Sequence, residues 1–225
     1  MPPSYATVIA GLFALAGFLP LAWPVLRRPG VWLCLVAGAA VSPIAREAAQ
    51  MAWDWAGPYV GQVTTPGGAA AYLLIVAAVS ELVKVTAPLL AIIARPADAL
   101  VGLAYGAAAG AGFAFVSAQP VLASALQLVG SPYITAVSST AAVMGWLFPI
   151  LAHVCTTAYL ARAGARGGFA VAFLFVWALQ FVLGFAQQHL PVWAGIPAGL
   201  LVTMVASLWL FGFLWAARVR AGRAW

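Results

Sequence analysis

The sequence predicts an all-α, polytopic membrane protein: seven transmembrane helices in a single domain over residues 1–225. Three observations lead there. The first is composition. Of 225 residues, 65% are hydrophobic and 6% charged, with a mean hydropathy of +1.05; a soluble domain carries about 25% charged residues. So few charges cannot cover a water-facing surface. The second is that seven stretches approach the ~20 apolar residues a membrane span requires: 5–26, 31–53, 70–94, 99–123, 134–161, 168–189 and 195–217. The third is where the arginines fall. Arg27 and Arg28 follow the first stretch, Arg95 the third, Arg162 and Arg166 the fifth, and Arg218, Arg220 and Arg223 the seventh. The connections after the second, fourth and sixth hold no Lys or Arg. All the loop and tail arginines thus share one side. The positive-inside bias makes that side the cytoplasm, with the N-terminus outside and the C-terminus inside. A multi-pass protein of a prokaryotic cytoplasmic membrane is expected. The net charge of +6 is dispersed between apolar segments rather than gathered in a patch, so the lipid bilayer, not nucleic acid, is the expected partner.

Taken in order, the first stretch is polar-free inside, with Pro20 and Pro24 near its inner end. No basic region precedes it, so it reads as a membrane helix rather than a cleaved leader. The second carries Arg46 and Glu47 in its outer half. Neighbours on a helix point about 100° apart, so each is expected to find another partner or the outer interface. Residues 54–69, rich in Trp, Tyr, Gly and Pro, read as the longest connection.

The third stretch holds Ser80, Glu81 and Lys84 near its centre. Each buried charge costs about 2.5–3.5 kcal/mol. Glu81 and Lys84 stand at i, i+3 on one face with the acid first, the order that favours pairing. They either form an ion pair that joins helices or line a water-filled cavity. Asp98, just before the fourth stretch, has the place of an N-cap. Within that stretch Gly102, Gly106 and Gly110 recur every four residues, a surface another backbone can approach closely. Gly112 lies off that stripe and adds a second gap. Ser117 and Gln119 precede Pro120 at the outer end.

The fifth stretch carries Pro149, which removes one backbone hydrogen bond and can kink the helix, and His153 four residues later, with Thr156 and Thr157 nearby. The sixth has Gln180 near its middle and Gln187, Gln188 and His189 at its outer end. The seventh is expected to contribute only Trp and Phe.

A Glu and a His on different helices can share a cavity, the Glu as general base toward water and the His as proton donor or oxyanion partner. His153 can equally serve as a hydrogen-bonding group between helices. Cys34 and Cys155 lie within apolar stretches, and no Cys pairs stand at ligand spacing, so neither a disulfide framework nor a zinc finger is indicated. There is no HExxH and no set of three convergent ligands. No metal or other cofactor is expected. Ser117 with His153 lacks a nucleophile elbow.

The order Ser80-Glu81-Leu82-Val83-Lys84, Arg95-Pro96-Ala97-Asp98, the glycine-rich run from Gly102 to Phe115, and Pro149 with His153 resembles PrsW-type intramembrane proteases, of the superfamily that includes CAAX-processing proteases. The likeness covers the third to fifth stretches. That family's pattern is approximately EExxK on one helix, GFAxxEN on the next and a later His. Carried over, the glutamate pair falls on Ser80 and Glu81, the lysine on Lys84, GFA on Gly112, Phe113 and Ala114, and EN on Ser117 and Ala118. The His falls on His153, and a further family His on Gln180. The resemblance implies an intramembrane peptidase acting on a membrane-anchored protein, with Glu81 and His153 as catalytic residues beside Lys84. Ser80 and Ser117 replace acids of that pattern, which implies either a reduced site or a catalytically inactive member that scaffolds membrane partners. Buried Glu, Lys and His also occur in the proton relays of small transporters.

Overall fold

The computed structural model describes residues 3–61, 63–94, 98–128, 136–190, 192–193 and 196–222. Seven α-helices fill almost all of it: α1 Pro3–Ala22, α2 Pro29–Val60, α3 Pro66–Ala94, α4 Ala99–Leu128, α5 Ala136–Gly164, α6 Phe169–His189 and α7 Ala198–Gly222. A 3-10 turn, Trp23–Val25, follows α1. Two short strands, β1 Val192–Trp193 and β2 Ile196–Pro197, pair antiparallel, with Val192 opposite Pro197 and Trp193 opposite Ile196. Among the described residues six helices, all but α5, are long and apolar enough to cross a membrane. The outside of the bundle is apolar too: Leu12, Leu33, Ile93 and Val171 are 62–77% exposed. Water does not tolerate such a surface on a monomer of this size, whereas lipid does. The chain is a multi-pass membrane protein.

The bundle is built around α4. Every residue from Leu100 to Ala114 is buried. The most apolar part of α4 is 72% buried, against 22–39% for the other five candidate spans. Composition explains this position: a helix of Gly and Ala is thin enough for α1, α2, α3 and α5 to reach it together. On one face, a Cβ at Gly102 would lie 2.8 Å from the Ala161 carbonyl, and one at Gly110 would lie 2.5 Å from that of His153. Gly106, between them, faces the Thr157 carbonyl. Residues 161, 157 and 153 are themselves a four-residue stripe, so α5 lies antiparallel in the glycine groove. Off this stripe Gly112 meets the Leu35 carbonyl of α2, and Gly38 of α2 meets that of Ala109. The second gap is therefore filled by a different helix.

The entry into α4 follows from Asp98, whose Oδ1 accepts the amides of Leu100 and Val101 at 2.9 and 2.8 Å. Arg95, Pro96 and Ala97 of the same motif, and Arg223, lie outside the described residues. At the arginine-bearing end, Arg162 is close enough to Arg166 and Arg220 to feel both charges.

Two boundaries differ from expectation. The connection expected over 54–69 is mostly helix: α2 runs to Val60 and α3 begins at Pro66. Gln50 bonds Asp54 one turn on at 2.7 Å, and Trp53 packs edge-on against Tyr72 of α3. These contacts carry α2 past Gly57 and Pro58 until Gly61, at φ +99°, ends it. The Thr65 hydroxyl then accepts the Gly68 amide at 3.1 Å, as an N-cap does. At the far end of α4, Pro120 does not stop the helix, which continues to Leu128.

Candidate functional site

Lys84 lies 10 residues before the end of α3, His153 lies 11 before the end of α5, and Gln180 lies 11 after the start of α6. At 1.5 Å per residue these are about 15–17 Å from the arginine-bearing end, the middle of a ~30 Å apolar layer. Three helices thus deliver polar side chains to one depth.

Lys84 is the hub. It is fully buried, and Glu81, one turn away, is 1% exposed. Its ammonium is ion-paired with Glu81 Oε1, donates to His153 Nδ1 at 2.9 Å, and lies 5.2 Å from the centroid of the Phe113 ring. An ammonium has three N–H groups; a carboxylate, an imidazole nitrogen and an aromatic face take them up. Because Nδ1 accepts, the neutral His153 ring carries its proton on Nε2. The ring is held edge-on by Phe113 at 5.4 Å, and the His153 backbone is pinned to the Gly110 notch. Thr157 donates to the His153 carbonyl at 2.9 Å.

Glu81 is bound on one side only. Besides Lys84, its Oε1 accepts from Gln180 Nε2 at 2.9 Å and is 3.5 Å from the Thr156 hydroxyl. Its Oε2 is buried and has no hydrogen-bond partner among the described residues. Such a group costs about 1–3 kcal/mol in desolvation, and it marks a place for a donor. Glu81 and His153 both line a cavity of about 210 Å³ that also touches Ser80, Gln180, Gln187 and Thr203. Gln187 lies 18 residues along α6 from Phe169, about 27 Å up. The cavity therefore runs from the buried cluster toward the end opposite the arginines. Lys84 stays behind its wall.

Glu81, Lys84, His153 and Gln180 are thus brought together. Ser80 lines this cavity and also a second one, of about 330 Å³, on the other side of α3. Ser117 is not in the cluster: its hydroxyl donates to the Ala114 carbonyl at 3.3 Å, and it faces the second cavity. Gly102, Gly106 and Gly110 act indirectly, by seating the helix that bears His153.

Arg46 and Glu47 are exposed near the end opposite the other described arginines, one of the two outcomes expected, and differ from expectation only in touching each other. They contact each other at 3.5 Å, 77% and 70% exposed. Long side chains let neighbours that diverge at Cβ approach at their tips. Thr156 belongs to the cluster, and its place one turn after His153 was the available signal. α7 is not featureless: Thr203 accepts from Gln187 at 3.0 Å and donates to the Gly199 carbonyl at 2.9 Å. Ser207 donates to the Phe148 carbonyl of α5 at 3.1 Å. Thr203 and Ser207 stand four residues apart on one face of the helix, and that spacing was the available signal. Among the described residues no three His, Cys, Asp or Glu side chains gather as a metal site would require.

No protein-family model, no curated protein and no solved structure matches this chain.

Proposed function

We propose that this protein is an intramembrane peptidase of the PrsW type with a reduced site, cutting a membrane-anchored protein. Seven spans, an outer N-terminus and a cytoplasmic C-terminus in a prokaryotic membrane belong to the same reading. The observation that carries it is Glu81: its Oε1 is fully engaged, its Oε2 has no partner among the described residues, and the residue shares a cavity wall with His153. In the proposed reaction Oε2 takes a proton from a water, whose oxygen attacks the peptide carbonyl. The Nε2–H of His153 donates to the oxyanion that develops. The proton on Glu81 then passes to the leaving nitrogen as the C–N bond breaks. Lys84 positions both groups at once, through Oε1 and Nδ1.

A second reading has its own support. Lys84 neutralises Glu81 in a sealed ion pair, and Ser80 and Ser117 stand at positions that are acidic in the family pattern. A catalytically inactive scaffold would keep the pair to hold helices together. The two separate in liposomes that hold the full chain and a library of single-span peptides, with products read by mass spectrometry. The peptidase reading expects cleavage by the parent and a loss of about 10²-fold or more in Glu81→Gln and His153→Ala, with both variants still inserted and monodisperse. Cleavage by both variants at the parental rate would defeat that reading. A parent that cleaves nothing in the library favours the scaffold.

A further inference from the structure

The second cavity, of about 330 Å³, plays no part in the proposed chemistry. It lies between α2, α3 and α4, and its polar lining is Ser42, Arg46, Gln50, Tyr72, Ser80 and Ser117. Its remaining wall is apolar, with Phe113, Val76 and Val116 among it. Its size is that of a small-molecule site, about 300–1,000 Å³. Its depth is defined by α2. Ser42, Arg46 and Gln50 lie 13, 17 and 21 residues after Pro29, or about 20, 26 and 32 Å from the arginine-bearing end. The cavity thus spans the half of a ~30 Å apolar layer away from those arginines and reaches its boundary.

Among the described residues Arg46 has one polar partner, and its side chain, which lines this cavity, is 77% exposed. Every other described arginine lies at the opposite end of the bundle, and Lys84 is consumed by its three partners. The ion pair of Arg46 is a single 3.5 Å contact with exposed Glu47, and Glu47 is not part of the cavity wall. Among the described residues, most of the guanidinium's five donors have no protein partner. A cation held near a membrane boundary, above hydroxyls and an apolar floor, matches an anionic head group on an apolar chain. Guanidinium binds carboxylate and phosphate in the same two-pronged manner.

We propose that this cavity binds an anionic amphiphile of the membrane: a carboxylate or phosphate head on Arg46, with hydrogen bonds from the cavity hydroxyls, and a chain running along Val76 and Val116. The site is separate from the Glu81 cluster and holds whether or not that cluster cleaves anything. Val76 and Ser80 line both cavities, and Phe113 lies between the second cavity and the Lys84–His153 contact, so these are the residues through which occupancy of one site touches the other.

The test uses the full chain in a non-ionic detergent, titrated separately with palmitate, lysophosphatidic acid, lysophosphatidylcholine and inorganic phosphate. Bound ligand is counted by native mass spectrometry and by the shift in thermal unfolding. Palmitate, lysophosphatidic acid or both should be retained by the parent and by Arg220→Gln, whose lost charge is at the other end. Arg46→Gln should weaken retention about tenfold or more, the loss of one charge-assisted contact. Ser117→Leu, which fills the cavity without touching the charge, should weaken it too, and keeps the test decisive if Arg46→Gln does not fold. Equal retention by the parent and Ser117→Leu, or by the parent and a folded Arg46→Gln, overturns the proposal. So does equal retention of lysophosphatidylcholine, which would show a site for the chain alone. Displacement by inorganic phosphate at equal concentration overturns it as well, since the head alone would then suffice.

Discussion

Removing the Lys84 ammonium tests whether the buried cluster is one electrostatic unit. Lys84→Met keeps the length of the side chain and deletes its charge. Glu81, 1% exposed, then keeps Gln180 and the more distant Thr156 on Oε1 but loses its counter-ion. Breaking a buried pair in this way costs about 3–5 kcal/mol; the surviving amide donor puts the expected value near the lower end, about 3 kcal/mol. Glu81→Gln leaves Lys84 with His153 and Phe113 and an amide oxygen in place of the carboxylate, for about 1–3 kcal/mol. In the double variant neither charge is stranded, so its cost falls below the sum of the two by about 2–3 kcal/mol, the upper part of the ~0.5–3 kcal/mol range of directly coupled residues. The assay is SDS-driven unfolding in mixed micelles, followed by far-ultraviolet circular dichroism. Single effects that add to within about 0.5 kcal/mol, or a Lys84→Met midpoint equal to the parent's, would refute the account of Lys84 as the hub.

Gly110→Ala places a methyl group 2.5 Å from the His153 carbonyl and is expected to destabilise by about 1–3 kcal/mol, read in the same unfolding assay. Gly212→Ala meets nothing within 4 Å and should be neutral or stabilise by up to about 1 kcal/mol, which makes it the control for helix propensity. Asp98→Ala removes the acceptor for two amides at the start of α4; a loss of about 0.5–2 kcal/mol is expected, with Asp98→Asn retaining most of the stability. Cleavage by Glu81→Gln and His153→Ala, and amphiphile retention by Arg46→Gln, complete the set.

Much of the fold is legible locally. Each of the seven apolar stretches overlaps one of the seven described helices; for the six that are long and apolar enough to cross a membrane, the reason is that such a run must satisfy its backbone internally. Asp98 caps α4 because the cap is an interaction over three residues. The glycine stripe announces close packing, since spacing alone sets which face is bare. The reach of α2 to Val60 was hidden, because Gly57 and Pro58 read as breakers; what overrides them is a contact with Tyr72 on another helix. Trp53 and Tyr72, which flank that segment, carry the packing, while Trp55 and Tyr59 within it stay exposed; in a sequence all four look like interfacial residues.

The site divides along the same line. Glu81 and Lys84 pair because they are one turn apart on one helix, and residue spacing is enough to say so. Which helix fills which glycine notch depends on long-range packing: α5 takes Gly102, Gly106 and Gly110, and α2 takes Gly112. That docking brings His153 and Thr156 level with Lys84 and Glu81, while α6 adds Gln180 from the other side. It also divides the serines, putting Ser80 on both cavity walls and Ser117 on the second alone. The chain read residue by residue contains the charges and the thin helix. Only the packed bundle leaves Oε2 of Glu81 without a partner among the described residues and sets Glu81 in the wall of a cavity, because both depend on what is absent between helices, which no spacing along the chain encodes.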